Sequence, residues 1–402
     1  MEYTIINFIL YLVVLLPYLK KKKSIDVYVI LLSAYTLTAL ICSFYYISGQ
    51  KDYTELSLIG FVYLFVCIII LLFPFRNFSV QVDKIKVNEN NTIIKSLVYI
   101  YAVTGLISIY YTLPETLDLF RSGEWNILRQ TLYDDEESVV LYHSQFERIA
   151  KNLHSYLNPF GVVMCFYFLS RWKSHKFLTI LMFVSWLLNA FLGATLVASR
   201  GLIVTLLLQF VMLFFLFKDS ISRGIKKALS VIMIILSVPV AFYMTVVSVS
   251  RFGEDDAGSS VFAYLGHSML NFNQNIISSM HDYAGGKYFF NYFISLFGGN
   301  PSINLQSLGY KGGTGFYTIV GDFYFDFGPI GTLTIFVLFS ILLCVLMKRK
   351  PIRLSNLILI MYFAFYYMRG VFVLGMGTAL GMFMCLVVYL IVRTTESTSI
   401  KR

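Results

Sequence analysis

Charge is what this sequence has little of. Only 13% of its 402 residues are Asp, Glu, Lys or Arg, where a soluble domain carries about a quarter. That deficit, with 57% hydrophobic residues and a mean hydropathy of +0.71, excludes a soluble globular class and implies an integral membrane protein. Cysteine is scarce as well. The five present, Cys42, Cys67, Cys165, Cys344 and Cys385, all fall inside apolar runs with no C-x-x-C pair. This excludes a disulfide framework and a cysteine zinc site. No internal repeat and no low-complexity linker divides the chain, so a single integral membrane domain is expected over 1–402.

What is there is a series of apolar runs near 3–19, 25–48, 56–75, 96–113, 156–170, 177–198, 202–217, 228–248, 329–347, 354–374 and 375–392. Their lengths suit the roughly 20 residues a helix needs to cross the hydrocarbon core. The expected fold class is therefore all-α and polytopic, with about 11 (10–12) transmembrane helices. The first run is read as a retained span and not a signal peptide, because Lys20 to Lys23 follow it instead of preceding it.

Lysine and arginine favour cytoplasmic loops. With the N-terminus external, the tetralysine, 76–95, 171–176, 218–227, 348–353 and the tail from Arg393 all fall on the cytoplasmic side. Most acidic residues then fall outside. The net charge of +10 becomes a topology signal and gives no reason to expect a nucleic-acid partner. The aromatic residues, 17% of the chain, lie mainly within spans and at their edges, where Tyr and Trp normally sit. Two outer stretches are long, 114–155 and 249–328, and function is expected there. The first carries "YDDEESVV" (133–140) and the second "SRFGEDDAGSS" (250–260).

From Phe177 to Phe217 a single formal charge interrupts the apolar sequence, Arg200 in "ATLVASRGLIVTLLL" (194–208). Splitting the run at "ASRG" gives two spans joined by a tight hairpin, eased by Gly201, with Arg200 at the external membrane edge. There it can snorkel, whereas at a span centre it would cost roughly 2.5–3.5 kcal/mol. Arg251 follows the span ending near Ser248. Arg369, in "YYMRGVF" (366–372), lies toward the outer end of a span that starts inside. All three approach one leaflet by this topology. Guanidinium forks suit phosphate oxygens, so Arg200, Arg251 and Arg369 are candidate ligands of an anionic, lipid-linked substrate. For each alone, a snorkelling anchor is the alternative.

The stretch "GGTGFYTIVGDFYFDFGPIGTLTIFVLFS" (312–340) places glycines and acidic residues just before an apolar span. Pro329 suits the helix start, since a first turn does not need its missing N–H. With its many spans, an "SRG" opening a central span, a late external loop flanked by an arginine, and the acidic, aromatic and glycine-rich "GDFYFDFGPIG" segment, the chain resembles the Wzy-type O-antigen polymerases, or oligosaccharide repeat-unit polymerases.

The resemblance implies a metal-independent, cofactor-free glycosyltransferase of GT-C-like architecture in the plasma (inner) membrane. Its donor and acceptor would be undecaprenyl-pyrophosphate-linked oligosaccharides at the outer face. A flippase and a chain-length regulator of the same pathway are implied partners. Arg200 matches the family's central-span arginine and Arg251 its loop arginine, while Arg369 is supported mainly by its depth. Transfer also needs a base near the acceptor hydroxyl. His267 and His281 are the candidates in the late loop, with Asp322 and Asp326 at the membrane edge nearby.

Three rivals remain. O-antigen ligases share the architecture but usually carry a His-Asn pair where this chain has "GFYTIV" (315–320), and Tyr317 and Thr318 cannot replace a histidine base. A metal-dependent GT-C transferase would use an acidic motif such as Asp134 to Glu137, but normally in its first outer loop; four consecutive acids after the fourth span read as a solvated face. A flippase or transporter of lipid-linked sugars would need polar midplane positions, and the span interiors are nearly free of charge.

Overall fold

The computed structural model describes residues 2–22, 25–48, 53–80, 85, 87, 89–123, 144–197, 199–312, 316–348, 351–373, 375 and 377–400, with backbone alone at 77, 236, 239, 248, 250–262, 264 and 397–400. Every regular element among them is helical. Nine stretches among the described residues are long and apolar enough to cross a membrane. The chain is an all-α, multi-pass membrane protein by that architecture.

The helices are α1 (Glu2–Lys22), α2 (Val27–Ile47), α3 (Leu58–Leu72), α4 (Thr92–Ser122), α5 (Gln145–Ser170), α6 (Trp172–Leu196), α7 (Arg200–Phe217), α8 (Arg223–Asn271), the short α9 (Asn291–Leu296), α10 (Thr318–Lys348), α11 (Leu354–Arg369) and α12 (Thr378–Ile400). Their starts are set locally. Asp26, Ser57, Asn91, Ser144 and Ser199 each accept a bond from a first-turn amide of the helix that follows, satisfying donors that a helix N-terminus leaves open. Gly123, at φ 70°, closes α4 in the left-handed conformation.

Two sequence expectations shift. The runs at 156–170 and 354–374 are not among the nine crossing stretches. α5 begins eleven residues before its apolar run, with Glu147, Lys151 and His154 in its first half, and α11 has only 16 residues. The expected loop 249–328 is also largely structured: α8 continues to Asn271 and runs into a π-helical turn, Phe272–Ile277. Hydropathy marks where apolar sequence stops, and a helix can continue beyond that point. In 114–155, α4 extends to Ser122 and α5 starts at Gln145. The acidic run at 134–137 lies outside the described residues.

The chain forms two compact units. The first comprises Met1–Ser79, Ser259–Lys350 and Tyr362–Met384; the second comprises Val80–Gly258, Pro351–Met361 and Cys385–Arg402. In the second, α4, α5 and α6 pack closely at glycines. A Cβ on Gly105 would lie 2.7 Å from His154 and Ser185, and one on Gly161 would overlap the Tyr101 ring. Small residues of this kind let membrane helices approach. Polar bonds line the same seam: Tyr101 Oη to Asn158 at 3.2 Å, His154 Nδ1 with the Tyr101 carbonyl at 3.0 Å, Ser185 Oγ to the Ala102 carbonyl at 2.9 Å and Ser108 Oγ to Asn189 at 2.6 Å.

In the first unit, α10 is two segments. Gly328, at φ 62° and ψ −171°, breaks it, and Pro329 restarts it. That backbone region is essentially glycine-only. An added Cβ would also meet the Tyr283 ring at 2.7 Å. Tyr63 of α3 donates to the Pro329 carbonyl at 2.7 Å. The break leaves a short buried helix, Thr318 to Phe327, ahead of the apolar run.

Candidate carboxylate and tyrosine site

That short helix carries Asp322 and Asp326 four residues apart, hence on one face. Asp326 is buried and committed to the backbone. Its carboxylate accepts from the amides of Tyr288 and Phe289 at 2.8 and 2.5 Å, and the carbonyls of those residues accept from Gly377 and Ala379 at 3.0 and 3.2 Å. It therefore pins the 284–289 turn, which in turn holds the 377–379 segment.

Asp322 is differently placed. It is 5% exposed and accepts from the Gly375 amide at 3.2 Å. The phenols of Tyr288, Tyr317 and Tyr366 all lie within its electrostatic reach. Tyr288 and Tyr317 share a hydrogen bond between their hydroxyls. Burial, followed by the charge of Asp322, pushes both hydroxyls far above their ordinary value. Both phenols therefore stay protonated at neutral pH, close to the Asp322 carboxylate.

Three backbone bonds fix the entry to α10. The amides of Tyr317 and Thr318 both reach the Phe372 carbonyl, at 3.2 and 2.7 Å, and that of Ile319 reaches the Gly370 carbonyl at 2.7 Å. A Cβ on Gly370 would sit 2.6 Å from Ile319, so this approach requires glycine. Arg369, one residue earlier, is exposed at the end of α11. Tyr362, Tyr366 and Arg369 follow helical spacing and share a face of that helix. Thr318 is the one non-glycine residue at positive φ (64°) among the described residues. For a β-branched residue that is a strained conformation costing about 1–3 kcal/mol.

The other expected site residues fall elsewhere. His267 sits between two phenols, with Tyr45 Oη 3.1 Å from Nε2 and Tyr53 Oη 2.6 Å from Nδ1, so both ring nitrogens are occupied. His281 is exposed on a turn, its amide bonded to the Leu308 carbonyl at 3.2 Å. In the second unit, Arg200 is 2% exposed in the first turn of α7, and Arg251 lies within α8 with its side chain outside the described residues. Among the described residues no group of three or more His, Cys, Asp or Glu is placed to hold a metal ion.

Sequence reasoning missed the amides in "NFNQN" (271–275). Asn275 donates to Asn271 at 2.5 Å, and Asn271 donates to the Phe316 carbonyl at 2.9 Å, anchoring the approach to Thr318. Asn273 both donates to and accepts from the Ser57 backbone at 2.7 Å. The readable signal was four amide side chains within five residues of an apolar stretch, at a π-turn of the kind that frequently marks functional sites.

Comparisons with family models, with curated proteins and with solved structures each return no significant match, so the functional argument rests on these residues.

Proposed function

We propose that this protein is a membrane glycosyltransferase of GT-C-like architecture, a repeat-unit polymerase acting on undecaprenyl-pyrophosphate-linked oligosaccharides at the outer face of the plasma membrane. The observation that carries this reading is the buried Asp322 among phenols that stay protonated, on a short helix whose first turn is bonded to the residue after Arg369.

In the proposed reaction Asp322 takes the proton of the acceptor hydroxyl as its oxygen bonds to the donor's anomeric carbon. The bond from that carbon to the pyrophosphate oxygen breaks, and its electron pair leaves with the lipid pyrophosphate. Arg369 supplies positive charge to the leaving group. Arg200 and Arg251 are assigned to pyrophosphate binding as well, each to be tested by itself. We assign the base to Asp322 over His267, whose nitrogens are both occupied, and over His281, which is exposed.

One observation favours a second reading. The polar seam of Tyr101, Ser108, His154, Asn158, Ser185 and Asn189 supplies the polar positions inside a helical unit that transport of lipid-linked sugars needs. Purified protein in lipid, given a lipid-linked repeat unit, separates the two. A polymerase yields a ladder of products, with and without EDTA. Asp322→Asn should abolish the ladder while leaving thermal stability near wild type, whereas Asp326→Asn should lower stability by about 1–3 kcal/mol through its backbone acceptors. Absence of a ladder from wild type, with single units crossing vesicle membranes, would move the assignment to transport.

A further inference from the structure

In the first unit, two neighbouring stretches present opposite surfaces. Residues 302–307 expose Ser302, Asn304, Gln306 and Ser307 and keep Ile303 and Leu305 half-buried, as a chain facing water does. Residues 290–297 do the reverse. Phe290, Tyr292, Leu296 and Phe297 are exposed, the last two at 62% and 83%, and α9 within this stretch buries none of its residues. Its two non-aromatic polar side chains, Asn291 and Ser295, lie four positions apart on one narrow face, so most of its circumference is apolar. Contiguous exposed apolar groups mark an interaction surface.

The backbone of this stretch is closed on itself. The amides of Ile294, Phe297, Gly298 and Gly299 bond to the carbonyls of Phe290, Phe293, Ser295 and Ile294 at 2.8–3.1 Å, and the Asn291 side chain donates to the Pro301 carbonyl at 3.1 Å. Lipid cannot serve unpaired backbone groups, so a segment that enters it needs such internal pairing. Position supplies a second argument. Phe293 packs edge-on against Phe383 in the second turn of α12, with ring centroids 5.6 Å apart, and the Ala379 amide bonds to the Phe289 carbonyl at 3.2 Å. The Phe289 ring also lies 6.5 Å from that of Phe327, two residues before Pro329 restarts α10, where Ile330 is 81% exposed. The stretch is thus tied to the starts of two helices that are long and apolar enough to cross a membrane, at the end of α10 remote from the basic Lys348.

We infer that residues 290–297 form an interfacial foot that lies in the outer leaflet, with Phe290, Tyr292, Leu296 and Phe297 among the headgroups and upper acyl chains. The partner is the bilayer itself. The patch is continuous with the lipid-facing start of the α10 apolar run, its aromatic side chains suit headgroup depth, and the exposed Lys287 beside it suits lipid phosphates. The inference goes beyond the transferase reading and holds equally for transport. Its consequence is depth: the 284–289 turn that Asp326 holds is fixed at the level of the lipid headgroups.

The test places nitroxide labels at Phe297→Cys and Gln306→Cys in the full chain, with Cys344→Ala removing the exposed native thiol, in vesicles of phosphatidylethanolamine and phosphatidylglycerol. Oxygen concentrates in lipid and a nickel chelate stays in water, so relaxation of each label by the two reads its depth. At Phe297 oxygen should relax the label more than the chelate does, and at Gln306 the order should invert. Chelate access at Phe297 equal to that at Gln306 would overturn the inference. So would a Phe297 label shielded from both reagents and broadened by a neighbouring label, the result expected if a second copy of the chain covers the patch. If a cysteine variant does not fold, wild type in vesicles containing a phospholipid with a photoactivatable acyl chain decides. Cross-linked lipid should map to 290–297 and not to 302–307; no lipid on 290–297, or as much on 302–307, would overturn the inference.

Discussion

Two of the three Arg-Gly dipeptides in this protein, those at Arg200 and Arg369, lie between apolar stretches that look alike in sequence and are opposite in structure. Arg200 opens α7 and is 2% exposed, whereas Arg369 closes α11 and is exposed. A helix carries partial positive charge at its N-terminus and negative at its C-terminus, so the dipole works against Arg200 and for Arg369. The glycines differ too: Gly370 is where a second backbone comes within bonding distance, while Gly201 continues a first helical turn. A guanidinium both buried and set against the dipole is an expensive placement, and snorkelling at a membrane edge does not describe it. The same dipeptide thus marks one cation held inside the protein and one offered outside it.

The largest effect that would sharpen this contrast is expected at Arg200. Arg200→Ala should destabilise the protein by about 3–5 kcal/mol, the scale for stranding groups around a buried charge, read as thermal unfolding in detergent. Arg200→Lys keeps a charge but loses the planar fork. It should express and insert normally yet lose most polymer formation, accumulating undecaprenyl-linked single units. A fully active Arg200→Lys together with a stable Arg200→Ala would return Arg200 to the role of an anchor. Arg369→Ala, by contrast, should change stability by less than about 0.5 kcal/mol, as exposed substitutions do, while still reducing polymer yield.

What the sequence made legible follows from how local each signal is. Apolar length revealed nine of the eleven expected spans, "ASRG" marked the break between two of them, and Pro329 marked a helix start, because each depends on neighbours in the chain. The carboxylate site depends on residues far apart. Asp326 holds amides 37 and 38 residues away, and Asp322 meets Gly375, 53 residues away. No spacing rule reaches that far. The continuation of α8 past Arg251 was hidden for another reason: the charged "RFGEDD" ends the apolar run without ending the helix.

Gly370→Ala tests the second half of the comparison. Its Cβ would press on Ile319 in the first turn of α10, and overpacking of this kind costs about 1–3 kcal/mol. Hydrogen exchange should rise at the Tyr317, Thr318 and Ile319 amides, whose acceptors lie in 370–372. If those amides stay protected and the protein keeps its stability, the close approach is not what holds Arg369 near the site.

A third arginine supplies the control. Arg171, 43% exposed at its side chain, pairs with Glu89 at 2.6 Å and lies over the Tyr167 ring, 4.6 Å from its centroid. Burial raises the Glu89 carboxyl, but hydrogen bonds from Tyr167 and His175 and the charge of Arg171 outweigh it and hold the group below its ordinary value. A carboxyl depressed in the folded state stabilises above its unfolded value, and that contribution fades as pH falls through the lower folded value. Wild type should therefore lose a small increment of stability on acidification below the ordinary glutamate range, and Glu89→Gln should lose that increment's pH dependence. Because solvent screens the pair, Arg171→Ala should cost at most about 1 kcal/mol at neutral pH. Should Arg171→Ala cost as much as Arg200→Ala, burial would not be what separates the arginines of this protein, and the case for a functional Arg200 would lose its physical basis.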